Sequence, residues 1–345
     1  MRSYRKPAAV GLGCLIALVT TGCSEQAEPA EPVDRARPAP SATAAPGTSP
    51  PARAGTAYAP YVSATDAAGT ESAGSPTTYN LAFVLAAGDD CTPRWDGGRA
   101  IGDSAVKSRI ARLTKNGGQV RVSFGGASGK ELAAVCDSAT ELAAAYGAAL
   151  DAAGATRADF DVEGDELADS ASVALRSKAI ALLQKERTDL EVSFTLPVMP
   201  SGLGEDSLAL LGSADDNGVQ VTTVNLMTMN YGTSFDGDMG GYARAAARAA
   251  HTQLKKVFGT SDAAAWQGMA LTSMIGVNDV DGETFTLADA AEVRAFAEEK
   301  GIGWVSMWSA ARDRQCADDS KPARPATDCS GVRQSPGAFG EAFAG

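Results

Sequence analysis

Apolar segments of strand length alternate with stretches of helical spacing from about residue 57 to the C-terminal end of the sequence. A strand that is covered on both faces forms a short apolar run, whereas a helix repeats its apolar positions every three to four residues. Turn-forming residues separate many of these runs. The pattern predicts eight strands, at 58–65, 79–86, 120–126, 158–163, 191–197, 221–231, 269–277 and 303–309.

The stretches between most of these strands are rich in Ala and Leu, and we predict that they are helices. The clearest are 130–153, 170–185, 242–258 and 287–300, and a Thr286-to-Asp289 pair marks the start of the last one. Strands separated by helices favour an α/β fold of the (β/α)8 TIM barrel type, with reactive groups at the C-terminal strand ends. A doubly wound open sheet is the alternative, because the first two connections are the least helical.

The N-terminal residues have the features of a secretion signal. Three basic residues within the first six precede an apolar run over 8–19, which is too short to span a membrane. The run ends in small residues followed by Cys23, and this resembles a bacterial lipobox in which Cys23 is lipidated. Thr20 departs from the usual Leu, so plain secretion is the alternative.

The residues that follow are rich in Pro, Ala, Ser and Glu and contain almost no large apolar side chains. Such a composition cannot bury enough apolar surface to fold, so we predict a disordered linker. The expected organisation is a signal peptide over 1–22, the linker over 23–56 and a single barrel domain over 57–345.

Net charge and cysteine content indicate which partners the protein binds and whether it contains disulfides. Without residues 1–22 the chain has 27 basic and 42 acidic residues, a charge of about −15. Nucleic acid and anionic membranes are poor partners for such a surface, so we expect membrane contact only through a lipid on Cys23. Four cysteines remain, and in an exported chain they favour disulfides over free thiols. Their spacing favours Cys316–Cys329, which leaves Cys91–Cys136.

The sequence contains one histidine, His251, within an Ala-rich helical run. A Ser-His-Asp triad or a zinc site with several histidines would have to be built around this residue, and no motif beside it supports either. We therefore predict that His251 is a helix-surface residue and that the chain has no metal site.

Three carboxyl groups alternate along the fourth predicted strand, at Asp159, Asp161 and Glu163. A period of two directs all three to one face, where like charges repel and burial raises at least one pKa. Folding alone gives little reason for this arrangement, so it indicates an acid/base site or a metal site. We expect the acid/base site, because groups spaced along one strand rarely converge on one ion and no second carboxylate cluster in the sequence completes a coordination shell. An exposed acidic edge strand is the third interpretation, although Phe160 and Val162 need burial on the opposite face.

Four motifs at the ends of predicted strands occur together in one order. They are Asp-x-Asp-x-Glu at 159–163, Ser-Phe-Gly-Gly at 123–126, Met-Thr-Met-Asn-Tyr-Gly at 227–232 and Met-Trp-Ser at 307–309. Together these motifs resemble glycoside hydrolase family 18, the chitinases, and segments such as 274–279 resemble its bacterial and archaeal branch. The resemblance implies a barrel that hydrolyses chitin without a cofactor.

The family's mechanism implies a role for each carboxyl group. The N-acetyl group of the substrate is the nucleophile, so only one protein carboxyl must donate a proton. Glu163 matches this general acid and base, and Asp161 would orient the acetamide and stabilise the oxazolinium ion. Asp159 would support Asp161 and share a proton with it. The family pattern begins with an Asp where this sequence has Thr156, whose hydroxyl is still able to hydrogen-bond Asp159.

The resemblance also implies substrate-binding residues. Tyr231 is the candidate for the tyrosine that holds the acetamide oxygen, although the alternative register puts Met229 and Asn230 at the family's Tyr and Asp positions. Trp308 would form the floor beneath the sugar. The remaining candidates for sugar contacts are Met227, Asn230, Asn278, Asp279 and Trp95, with core packing or loop capping as the alternative for most of them.

The expected partners are chitin or N-acetylglucosamine oligosaccharides, bound by a monomer that is secreted or held at the outer face of the membrane. An endo-β-N-acetylglucosaminidase acting on N-glycans is the alternative enzyme. A tethered sugar-binding lipoprotein is the non-enzymatic alternative, although such proteins usually lack the acid that Glu163 provides.

Overall fold

Eight parallel strands close into a barrel in the computed structural model of the protein, which describes residues 55–317 and 325–345. The first barrel strand is interrupted, and its two parts, Ala57–Tyr58 (β1) and Tyr61–Ser63 (β2), pair with the last and the second barrel strands. This double pairing closes the sheet and removes its exposed edges. The other strands are Thr78–Ala87 (β3), Asp90–Trp95 (β4), Arg99–Ala100 (β5), Gln119–Gly125 (β6), Arg157–Asp161 (β7), Glu191–Met199 (β8), Gly202–Leu203 (β9), Val221–Met227 (β10), Met269–Met274 (β11), Gly276–Val277 (β12), Thr284–Phe285 (β13) and Trp304–Trp308 (β14).

Neighbouring barrel strands are parallel and follow chain order, from β3 through β6, β7, β8, β10 and β11 to β14. The predicted (β/α)8 barrel is therefore confirmed, and the open sheet is wrong. All eight predicted barrel strands overlap observed ones. The strand ends that carry Asp161, Met227 and Trp308 meet at one mouth of the barrel, where this fold places its reactive groups.

Helices surround the barrel, and local sequence explains where several of them begin and end. The Ser138 hydroxyl accepts a hydrogen bond from the Glu141 backbone N–H at the start of one helix, which ends at Gly154 in the left-handed conformation. The predicted capping box of Thr286 and Asp289 is present. The helices are Ser104–Thr114 (α1), Ala139–Ala153 (α2), Gly164–Ala168 (α3), Ser170–Glu186 (α4), Glu205–Asp216 (α5), Met239–Phe258 (α6), Asp262–Gln267 (α7), Leu287–Lys300 (α8) and Ala338–Ala344 (α9), with 3₁₀ turns at Leu132–Ala134 and Ala310–Arg312.

The early connections differ from the helix pattern. An antiparallel hairpin of β4 and β5 follows β3, in a region that the sequence predicted to be a loop. The helix predicted over 130–153 begins at Ala139 rather than at Lys130, because the residues before it form a 3₁₀ turn and a disulfide. Both predicted disulfides, Cys91–Cys136 and Cys316–Cys329, are present.

His251 is buried in α6, so the prediction of a helix-surface residue is wrong. Its ring stacks on Trp266 with 3.9 Å between the centroids, and its Nε2 lies 3.0 Å from the Asp262 carbonyl oxygen. Both partners belong to α7, a short helix that covers this face of α6. The histidine therefore has a structural environment away from the barrel mouth.

The predicted signal peptide, the lipidation of Cys23 and nearly all of the linker over 23–56 lie outside the described residues. Within the described part of the chain, no helix has the length and apolar character needed to cross a bilayer.

Candidate active site

The three predicted carboxyl groups occupy successive depths at the end of β7. Asp159 and Asp161 are buried in the strand, while Glu163 lies just beyond its end, at the residue before α3. Asp161 pairs in register with Gly125 of β6 and Thr195 of β8. The period of two therefore brings all three groups into line towards the barrel mouth.

Asp159 is fixed by four hydroxyl groups. Tyr61 Oη and Ser123 Oγ lie 2.8 and 2.7 Å from one of its oxygens, and Ser193 Oγ and Thr195 Oγ1 lie 2.7 and 2.8 Å from the other. These contacts come from three different barrel strands, β2, β6 and β8. They fill the accepting positions of the carboxylate and hold it in one orientation.

Thr156 is not among these hydroxyl groups, so the expected hydrogen bond from Thr156 to Asp159 is wrong. Thr156 is exposed before β7 begins, where its carbonyl oxygen accepts from the Glu191 backbone N–H at 2.9 Å. Among the described residues, no hydrogen bond joins Asp159 to Asp161, so no contact supports the expected proton sharing between them. The hydrogen-bond partner of Asp161 is Glu163.

The Asp161–Glu163 pair has unusual electrostatics. Burial, followed by the charges of Glu163, Asp159 and Glu131, raises the pKa of Asp161 well above its ordinary value. Burial and the carboxylates of Glu131 and Asp279 raise the pKa of Glu163 to about 7, and its hydrogen bond with Asp161 opposes this rise. The two groups titrate together, and the pair keeps a proton near neutral pH.

A cavity of about 100 Å³ lies over Asp161 and Glu163. A second cavity, of about 340 Å³, shares Glu163, Met227, Met229 and Asn230 with the first and continues along α5. Glu163 is therefore at the junction of two connected spaces. A group at this junction can act on a bond of a substrate whose two parts occupy different cavities.

Aromatic rings form one wall of the first cavity. Trp308 stacks on Phe83 with 5.6 Å between the ring centroids, and Tyr61 meets Trp308 edge to face at 5.8 Å. The predicted positions of Trp308 and Met227 at the cavity agree with the structure. Trp95 does not reach it: this ring is fully buried behind β3, and its indole N–H donates to the Ile101 carbonyl oxygen at 3.1 Å. Trp95 cannot be a sugar platform.

Tyr231 does not line either cavity, which corrects its predicted contact with the substrate. It is 5% exposed, its ring packs against Phe235 and Tyr242, and its hydroxyl has no hydrogen-bond partner among the described residues. Met229 and Asn230 line the cavity instead. The geometry thus favours the alternative register, with Met229 and Asn230 at the family's Tyr and Asp positions.

Asn230 and Asp279 form a reciprocal contact at the cavity wall. The Asn230 side-chain N–H₂ donates to Asp279 Oδ2 at 3.3 Å, and the Asp279 backbone N–H donates to Asn230 Oδ1 at 3.0 Å. Asn230 has a φ of 54°, a left-handed conformation that Asn tolerates. Beneath this loop, the buried Glu283 accepts from the Gly232 backbone N–H at 2.8 Å. The loop backbone is therefore held from below.

Asn278 caps the loop rather than facing the substrate. It is buried, and its side-chain N–H₂ donates to the carbonyl oxygens of Met274 and Gly276 at 2.8 and 3.0 Å. Of the two candidates at the end of the seventh barrel strand, only Asp279 lines the cavity.

Several cavity residues were not identified from the sequence. Tyr61, Phe83, Thr195 and Thr272 are inward-facing residues of barrel strands, and Ala127 follows β6. Phe83, Thr195 and Thr272 are aromatic or polar residues in the middle of barrel strands, and this feature was the available signal for them in the sequence. No group of three or more His, Cys, Asp or Glu residues within 55–317 and 325–345 is arranged to hold a metal ion.

No family model matches the sequence. A probable bifunctional chitinase/lysozyme of Escherichia coli K12 is 35% identical over 275 residues, which is 74% of this chain and 31% of the relative. Endochitinase 11 of Metarhizium anisopliae is 35% identical over 280 residues, or 75% of this chain and 53% of the relative. The chain therefore spans about a third and about half the length of these curated relatives.

Among solved structures, the chain is similar to active domain 2 of a thermostable chitinase from Pyrococcus furiosus, studied as catalytic-site mutants complexed with chito-oligosaccharides. The TM-score is 0.73 at 28% sequence identity, and the match covers 84% of this chain and 94% of that one. The similarity therefore extends over nearly the whole of that catalytic domain and over the barrel described above.

Proposed function

From the homology of this barrel to chitinases of glycoside hydrolase family 18, we propose that the chain hydrolyses β-1,4 bonds between N-acetylglucosamine units of chitin or chitooligosaccharides. The observation that carries the proposal is the placement of Glu163. Its carboxyl group has a pKa of about 7 and lies at the junction of two cavities, beside a second buried carboxyl group with which it titrates. A general acid is most effective when its pKa is close to the working pH.

The reaction requires one proton donor, because the acetamide of the substrate supplies the nucleophile. Glu163 would transfer its proton to the glycosidic oxygen as the bond from that oxygen to the anomeric carbon breaks. The acetamide carbonyl oxygen forms the new bond to the anomeric carbon and gives an oxazolinium ion. Glu163, now a carboxylate, then removes a proton from water, which attacks the same carbon and restores the original anomeric configuration.

Asp161 has one oxygen that is free to accept a hydrogen bond from the substrate. One of its oxygens, Oδ1, is buried and has no hydrogen-bond partner among the described residues. In the reaction the side chain would leave Glu163 and accept from the acetamide N–H, where its negative charge stabilises the oxazolinium ion. Asp159 would stay in place behind it, held by its four hydroxyl groups.

The cavity walls fit a sugar ring. The apolar faces of Trp308 and Phe83 would contact the ring that carries the reacting acetamide, since aromatic rings bury large apolar areas at defined angles. The Asn230–Asp279 pair and Tyr61 supply polar groups at the same wall. The second cavity would take the sugar on the other side of the broken bond.

We also propose that the protein acts outside the cytoplasm as a monomer. Two disulfides among the described residues support an oxidising compartment. The basic and apolar N-terminal sequence and Cys23 support export, with a lipid anchor or free secretion as the two outcomes. Metabolic labelling with a fatty acid analogue, compared between the wild type and Cys23→Ala, distinguishes them.

Product analysis tests the proposed reaction. We expect shorter oligosaccharides from the chitin hexamer, with the β anomer first at the new reducing end in NMR spectra, because the mechanism retains configuration. A chelator should leave the rate unchanged. Absence of any product from the hexamer, with glycans released from a glycoprotein, would support the N-glycan enzyme instead. Binding of the hexamer without product from either substrate would support the sugar-binding protein.

The pH dependence follows from the raised pKa of Glu163. The reaction needs its protonated form, so kcat/KM is expected to fall as the pH rises through about 7. An ordinary Glu pKa would put this fall between pH 4 and 5. The measurement is the pH profile of kcat/KM on the chitin hexamer, and a fall in that acidic range would contradict the proposed acid.

A further inference from the structure

A buried ion pair lies behind the catalytic carboxyl groups. Glu131, in the segment after β6, contacts the guanidinium of Arg176 on α4, and the two residues are only 7% and 1% exposed. Arg176 also donates to Ser172 Oγ at 3.1 Å, and Ser172 donates to Glu166 at 2.9 Å. The pair thus connects the segment after β6 with helix α4.

The pairing is incomplete. Glu131 Oε1 and the Arg176 Nε and Nη1 groups are buried and have no hydrogen-bond partner among the described residues. Burying an ion pair costs several kcal/mol in desolvation, and well-packed apolar side chains in its place are often equally stable. Unsatisfied buried polar atoms add to that cost. Fold stability therefore gives no reason for these two residues, and a functional reason is needed.

The free oxygen of Glu131 lies beside Gly125, the residue that pairs in register with Asp161. A Cβ atom on Gly125 would overlap the Asp161 carbonyl oxygen and would lie 3.2 Å from Glu131 Oε1. Gly125 is the register partner of Asp161, and the next residue, Gly126, donates to the Asp161 carbonyl oxygen at 2.9 Å. Gly125 thus leaves the space through which the Glu131 carboxylate approaches the strand end, with a φ of 99° that also suits glycine.

We propose that Glu131 is a positioning residue that holds the proton on the Asp161–Glu163 pair by its buried negative charge, and that Arg176 keeps Glu131 ionised. This inference deepens the proposed function and rests on it. Glu131 touches neither cavity, so it acts only through the two carboxyl groups. Unscreened by water, a charge this close disfavours a second negative charge on the pair.

The other charged groups near these residues act in known directions. Asp159 also raises the pKa of Asp161, and Asp279 raises that of Glu163. Burial raises the pKa of Glu131 above its ordinary value, the charge of Glu166 adds to this rise, and the contact with Arg176 opposes it. The buried Tyr146 faces the same ion pair. Replacing Glu131 leaves Asp159 and Asp279 in place, so any change in the pair is due to Glu131.

The variant Glu131→Gln keeps the side-chain shape and removes the charge. We expect the fall of kcat/KM at high pH to move to lower pH by roughly half a unit or more, because Glu163 then ionises without the repulsion of the Glu131 charge. The double variant Glu131→Leu with Arg176→Met replaces the ion pair by apolar side chains and keeps the fold if Glu131→Gln destabilises it. It should move the profile in the same direction.

Glu191→Gln is the matched control, because it removes the charge of a different Glu–Arg pair, with Arg157 at the opposite end of β7. Its profile should stay unchanged. Carboxyl titration by NMR on ¹³C-Glu-labelled protein, with the Glu163 signal assigned by Glu163→Gln, reports the same shift without activity. An unchanged Glu163 titration in folded Glu131 variants overturns the inference. A shifted titration in a protein that does not hydrolyse chitin oligomers would overturn the proposed function alone.

Discussion

Replacing Glu163 by Gln is expected to lower kcat on the chitin hexamer by about 10²- to 10⁴-fold, the range for loss of a general acid. Gln has the same shape but no transferable proton, so Kd for the hexamer should change little. Steady-state kinetics give the first quantity and titration calorimetry with the slowly cleaved complex gives the second. A variant with wild-type kcat would contradict the assignment of Glu163.

The matched control is Asp165→Asn, which should keep full activity. Asp165 is exposed two residues away, and its side chain has no hydrogen-bond or ion-pair partner within the part of the chain that the structure describes. A substrate with an acidic aryl leaving group is a second control. Such a group departs without protonation, so its bond cleavage should be less impaired in Glu163→Gln than that of the hexamer.

The substitution Glu163→Gln should also stabilise the fold at alkaline pH. The pKa of Glu163 is about 7 in the folded protein and ordinary in the unfolded chain, so wild-type stability decreases as the pH rises from about 4.5 through 7. Gln does not ionise and avoids this loss. The free energy of unfolding of Glu163→Gln at pH 8 should exceed that of the wild type by about 1–3 kcal/mol, a value that allows for partial exposure.

The sequence predicted the barrel because its signal is local and repeated. Apolar runs of strand length and Ala-rich helices each follow from neighbouring residues, and the capping box at Thr286 needs only residues three apart. The alternation of Asp159, Asp161 and Glu163 was equally local, since the period of a strand decides which side chains share a face. These features did not depend on knowing which strands meet.

The errors concern what covers each residue. Trp95 and His251 were interpreted as exposed because their neighbours in sequence are small or polar, yet the β4–β5 hairpin and α7 bury them. Tyr231 looked suitable because its hydroxyl can donate a hydrogen bond. After the left-handed residue Asn230, the ring of Tyr231 is buried against Phe235 and Tyr242, and nothing in the local sequence locates this turn.

The hydroxyl groups around Asp159 could not be found from the sequence for a related reason. They come from three strands between Tyr61 and Thr195, and only closure of the barrel brings them together. The sequence predicted instead that Thr156, three residues before Asp159, supports this carboxyl group. The structure shows that support across the barrel replaces support along the strand.

Replacing Asp161 by Asn is expected to lower kcat on the chitin hexamer by about 10²- to 10³-fold, as when an electrostatic stabiliser is lost. The amide oxygen can still accept from the acetamide N–H, so orientation of the substrate is largely kept. The negative charge next to the oxazolinium ion is lost. The affinity of a cyclic thiazoline analogue of that ion should therefore fall by a similar factor, measured by inhibition of the wild type and calorimetry on the variant.

The comparison of the two ligands separates charge from shape. Hexamer binding to Asp161→Asn should stay near the wild-type value, because the uncharged substrate gains little from a carboxylate. If kcat falls while the thiazoline binds as tightly as before, Asp161 does not stabilise the ion and serves Glu163 instead, through the hydrogen bond between them. If both hexamer and thiazoline affinity fall together, Asp161 binds the ground state, and the proposed division of work between the two carboxyl groups is wrong.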